Sequence, residues 1–135
     1  MKTLTGVACA LMVVGCSHAQ TTKLTTAENA PAAMGSVKTT QGENGNTEVT
    51  VTVEHLAPPA RIASGASTYV VWAKPASQDA PQNLGAMTVD DALNGKLQTK
   101  TALTRFDLMI AAEPTPTIAQ PNGAPVMQAH VDTQR

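Results

Sequence analysis

From Thr47 to Glu54 the chain alternates with a period of two, placing Val49, Val51 and Val53 on one face and Glu48, Thr50, Thr52 and Glu54 on the other. A helix turns every 3.6 residues and scatters such a pattern, whereas successive side chains of a strand point to opposite faces. The β-branched valines and threonines suit a pleated surface on both sides. This segment therefore predicts a half-buried strand, and its valines require a second layer to cover them.

Other segments obey the same logic. Ser67 to Ala73 (Ser-Thr-Tyr-Val-Val-Trp-Ala) is apolar on both faces and reads as a central strand. Arg105 to Ala112 places Phe106, Leu108 and Ile110 on one face. Weaker candidates run from Gly35 to Thr40, Asn83 to Val89, Lys96 to Leu103 and Pro125 to Val131. Turn chemistry separates them: Gly42-Glu43-Asn44-Gly45-Asn46, Pro58-Pro59, Asn94-Gly95 and Pro121-Asn122-Gly123. About seven short strands with no amphipathic helix predict an all-β fold, an antiparallel immunoglobulin-like sandwich, with a barrel as the alternative. Asp90-Asp91-Ala92-Leu93 is short enough for a single helical turn at most.

The first residues carry a different signal. Lys2 precedes an apolar stretch, Leu4 to Val14, that ends in Val13-Val14-Gly15-Cys16. A core of about a dozen residues has the length of a secretory signal, short of the roughly 20 needed to span a bilayer. An aliphatic residue three before a cysteine, and a small one just before it, form a lipobox: a peptidase accepts the small side chain at the scissile bond, and the thiol takes a diacylglycerol. Cys16 is thus the predicted lipidation site and the first residue of the mature chain. Residues 1–15 leave, and Cys9 leaves with them. More than one acyl chain makes a stable anchor, at about 0.8 kcal/mol per buried methylene. In many double-membrane bacteria an aspartate after the modified cysteine retains the protein at the inner membrane, so Ser17 points to the outer membrane. No second cysteine remains for a disulfide.

The mature chain, about 120 residues, suits one domain. Its hydrophobic content of 42% contains much alanine, and it has one Trp, one Tyr and one Phe, so the expected core is small. Residues 16–33, rich in Thr, Ala, Asn and Gln, read as a lipidated cysteine and flexible tether able to reach on the order of 50 Å. The sandwich then occupies 34–131 and a tail 132–135. Net charge is −1 with basic residues scattered singly, so no stripe for nucleic acid and no polybasic membrane patch is present.

Thr47 to Leu56, Pro58-Pro59, Tyr69-Val70-Val71-Trp72, Asn83-Leu84-Gly85 and Phe106-Asp107 leading to Ala112-Glu113-Pro114 come in an order that resembles the extracytoplasmic domain of anti-sigma-K factors. The resemblance covers Met34 to about Val131 and implies a sandwich with a Glu-Pro strand end, a proline-rich loop and a final strand. Those regulators place a sigma-binding helical domain and a membrane helix before the sandwich. Here a lipobox segment stands there, so sigma-factor binding is not implied.

The remaining polar groups point away from catalysis. Asp90, Asp91 and Asn94 lack the alternating ligands and closing glutamate of a calcium loop and read as a solvated turn. His18, His55 and His130 are too few and too dispersed for zinc. Ser64-Gly65-Ala66-Ser67 lacks the Gly-x-Ser-x-Gly spacing of a nucleophile elbow. Glu113 is expected to accept hydrogen bonds at a loop base. Trp72 is expected to fill the inter-sheet space, leaving Tyr69, on the opposite face of the strand, for surface contact. The expected function is a non-enzymatic, cofactor-free binding or structural module of the cell envelope, held to the membrane by its lipid and contacting an envelope protein or surface polymer. The alternative is an accessory envelope sensor.

Overall fold

The computed structural model describes residues 18–77 and 80–134. Nine strands form two antiparallel sheets packed face to face. In chain order they are β1 (Gln20–Lys23), β2 (Thr25–Thr26), β3 (Met34–Gln41), β4 (Thr47–Glu54), β5 (Thr68–Pro75), β6 (Gln82–Met87), β7 (Gly95–Thr101), β8 (Arg105–Glu113) and β9 (Pro125–Asp132). One sheet has the order β1-β3-β4-β7, the other β2-β9-β8-β5-β6. Hairpins stay within a sheet (β3–β4, β5–β6, β8–β9), while the β4–β5, β6–β7 and β7–β8 connections cross between sheets. The seven strands read from Met34 onwards are all present, and the fold is the predicted all-β sandwich.

The alternation in β4 sets the first inner face. Val49, Val51 and Val53 are buried while Glu48, Thr52 and Glu54 are exposed. Thr47 is also buried, its hydroxyl donating to the Leu103 carbonyl at 2.8 Å. Phe106, Leu108 and Ile110 of β8 meet those valines from the second sheet. The turn between β3 and β4 contains a single 3₁₀ turn at Glu43–Gly45, in which Asn44 and Gly45 take the left-handed backbone (φ 67° and 76°). Asn and Gly tolerate that region at least cost. A four-residue helix, α1 (Pro59–Ile62), comes after β4, with Pro59 in its first turn where no backbone donor is needed. Asp90 to Asn94 forms a turn and no helix.

The structure departs from the sequence expectation at residues 16–33. Within the span read as a tether, β1 pairs with β3 and β2 pairs with β9, so the sandwich begins at Gln20. Between them the chain switches sheets at Leu24, whose N–H donates to the Gly35 carbonyl at 2.9 Å. Its side chain is 6% exposed, and a Cβ at position 35 would lie 2.8 Å from Leu24 Cδ1. Ala30 and Ala33 are buried beside it. A polar stretch that cannot support a core of its own is ordered by pairing with edges that already exist. The two short strands cover the open edges of β3 and β9, where unpaired backbone would invite other chains. The tail is tied as well: Thr133 donates its N–H and hydroxyl to the Thr104 carbonyl, at 2.9 and 3.1 Å.

Strand β5 is buried on both faces, as a central strand requires. Tyr69, Val71 and Ala73 point between the sheets, and Val70 and Trp72 point outwards. This reverses the expected roles of the two aromatics. Tyr69 is fully buried in the inter-sheet core and donates its hydroxyl to the Ala57 carbonyl, so it offers no surface contact. Trp72 is fully buried too, but on the outer side. An all-apolar strand carries no sign of which face meets the other sheet.

Leu24→Ala should lower unfolding stability by about 2–5 kcal/mol in denaturant titration, the usual range for a buried leucine; a value near zero would return this segment to a tether. The tyrosine gives a second test. Burial pushes the Tyr69 hydroxyl from 10.0 up to about 12. The folded form holds this proton more tightly than the unfolded chain does. Its stabilising contribution is therefore complete below pH 10 and lost as pH rises from 10 to about 12. Because Tyr69 is the only tyrosine, ultraviolet absorbance titration of the native protein reads this midpoint directly.

Candidate functional site

The outer face of the five-stranded sheet carries an open cleft. Register aligns Trp72, Met109, Gln128 and Thr25 in one row across β5, β8, β9 and β2. The next row holds Lys74, Asp107 and His130. Together they line an open cleft of about 710 Å³. His130 Nδ1 lies 2.8 Å from Asp107 Oδ1, and both side chains are mostly in water. The second row thus offers one ammonium, one carboxylate and one imidazole side by side. Such a row can form hydrogen bonds and ion pairs with an extended ligand.

A strap, residues 114–124, closes one end of this face. Ile118 from the strap and Met109 from β8 pack against Trp72, Val70 and Ala111, forming a second, small core outside the sandwich. The strap is held by polar side chains that bond to its backbone. Glu113, fully buried at the end of β8, accepts the Asn122 N–H at 3.0 and 3.2 Å and the Gly123 N–H at 3.4 Å. Ser67 Oγ donates to the Pro114 carbonyl at 2.7 Å. Asn83 Nδ2 donates to the carbonyls of Pro116 and Ile118, each at 3.0 Å, while its Oδ1 accepts the Gly85 N–H. Gly123 passes so close to β8 that a Cβ there would lie 2.4 Å from the Ala112 carbonyl oxygen. Glu113 therefore has the loop-base role expected of it. The tie made by Asn83 is invisible in the sequence, because its partners lie more than 30 residues away and the local pattern gives no sign of them. The Trp72 indole N–H is buried without a hydrogen-bond partner. An orphaned donor of this kind costs about 1–3 kcal/mol.

The other sequence candidates fall into structural roles or outside the described residues. Cys16 and the apolar stretch before it lie outside them. Asp90 Oδ1 accepts the N–H groups of Ala92 and Asn94, both at 2.9 Å, which shapes the β6–β7 turn. His55 sits after β4 in the left-handed region (φ 56°). Among the described residues, no three His, Cys, Asp or Glu side chains are grouped to hold a metal ion. Ser67 is committed to the strap, and Gly65 (φ 80°) makes the turn before it. No helix among the described residues is long and apolar enough to cross a membrane.

Compared with known proteins, the chain matches no family model and no curated protein. Its resemblance to the anti-sigma-K domain rests on the short motifs alone.

The outer core can be tested with the single tryptophan. Trp72→Ala should cost about 3–5 kcal/mol in unfolding stability, as buried aromatic truncations do. Asn83→Ala should release the strap with the sandwich still folded, shifting Trp72 emission to longer wavelength; an unchanged spectrum would show that Asn83 does not hold it.

Proposed function

We propose that this chain is a membrane-anchored bacterial envelope lipoprotein that displays its β-sandwich as a non-catalytic binding or structural module. The observation that carries the reading is Val13-Val14-Gly15-Cys16 at the end of a signal-length apolar stretch. The rest of the chain suits an exported protein, since the domain has its own core and no dependence on a disulfide. Among the described polar groups, Glu113, Asp90, Asn83, Ser67 and Thr47 bond to backbone, and such side chains shape loops rather than drive reactions. The outer-face cleft, with its alternating charges, suits an extended envelope protein segment or surface polymer better than a small enclosed substrate. Ser17 favours the outer membrane in a double-membrane bacterium.

A second role, accessory envelope sensor without sigma-factor binding of its own, rests on the order of the Leu84-Gly85 and Glu113-Pro114 steps. Cross-linking in intact cells separates the two, since a membrane-bound regulator among the partners favours the sensor and a wall protein or polymer favours the module. The anchor has a direct test. Cys16→Ser should abolish incorporation of labelled fatty acid and move the protein from the membrane to the soluble fraction, whereas full membrane retention would overturn the proposal.

A further inference from the structure

We infer that the sandwich lies directly on the lipid surface with a fixed end towards the bilayer. This rests on Cys16 carrying the acyl chains. Only four residue steps separate Cys16 from Gln20, the first residue of β1. At 3.3–3.6 Å per step, that leash spans no more than about 14 Å. The strands of this sandwich are longer than the leash: the seven steps of β4 cover about 24 Å at 3.4 Å each. The domain cannot invert on such a tether without carrying β1 away from the membrane.

Register then decides which end faces down. Gln20 pairs with Thr39, Gln41 with Thr47, and Thr47 with Thr101. In the second sheet Arg105 pairs with Asp132, and Pro75 with Phe106. The proximal end therefore includes the turn at 42–46, the end of β5 at Pro75, the link at 102–104 and the residues after β9. The distal end holds α1, the turn at Asp90 to Asn94 and the strap. It also carries Met34, a large apolar side chain 51% exposed. At the proximal end Lys100 lies 3.5 Å from Glu48, and Arg105 lies 3.2 Å from Asp132. These charges answer each other, so contact with the bilayer is set by the leash and not by attraction to anionic lipid. The orientation should accordingly persist in high salt.

The test uses the acylated protein in vesicles of phosphatidylethanolamine and phosphatidylglycerol that contain a headgroup-linked quencher. The mature chain has no cysteine besides Cys16, whose sulfur is blocked by the lipid, so single cysteines can be labelled cleanly. Asn46→Cys marks the proximal turn and Asp91→Cys the distal one; both positions are exposed. Quenching should be several-fold stronger at position 46 than at 91, at low and high salt alike. A Gly/Ser insert of about 20 residues after Ala19 should erase the difference by giving the leash a flexible-coil reach. Equal quenching at the two positions in protein whose intact mass shows the acyl chains would overturn the orientation. An intact mass without acyl chains would instead overturn the lipoprotein reading on which it depends.

Discussion

Tyr69, Trp72 and Phe106 are the chain's entire aromatic complement, and all three are fully buried within two neighbouring strands of the larger sheet. A chain with so few large apolar groups must concentrate them where each removes the most surface from water. Strand β5 does this on both faces, with Tyr69 against the valines of β4 and Trp72 beneath Met109 and Ile118. The other elements depend on that double burial. The smaller sheet supplies valine and little else to the core, and the strap exists as ordered structure because Trp72 gives it an apolar seat.

Polar chemistry finishes what this small core begins. Glu113, Asn83 and Ser67 bond to backbone groups of the strap, and Asp90 and Thr47 to backbone groups of two crossing connections. Buried or part-buried backbone needs partners, and short polar side chains at strand ends are well placed to supply them. The exposed row of Lys74, Asp107 and His130 lies beside the outer-face cleft.

The N-terminal segment joins fold to location. With strands at 20–23 and 25–26, the distance from the proposed lipidation site, Cys16, to folded structure is a few residues and not a long stalk. A stalk would have allowed the sandwich to search a volume of the envelope. On that proposal, a short leash instead gives the domain a defined orientation at the membrane.

Local patterns in the chain were enough to identify an antiparallel all-β fold, with a sandwich preferred and a barrel left as the alternative. Alternation at Val49, Val51 and Val53, the apolar run of β5, and turn residues such as Asn44-Gly45 are properties of neighbouring residues, and a strand's period is set by its own backbone. The proposed lipobox is a reading of the same local kind, because a peptidase reads a short contiguous motif. The burial of Leu24, the covering of two sheet edges by a threonine-rich stretch, the strap and the opposite placement of Tyr69 and Trp72 were decided only in three dimensions. Each depends on partners far along the chain: Gly35 for Leu24, Gln128 for Thr25, Ile118 for Trp72 and Ala57 for Tyr69. Sequence determined which segments could become strands and which faces could be apolar. Packing between distant segments determined which of those faces met, because burial free energy depends on what covers a side chain and not on the side chain alone.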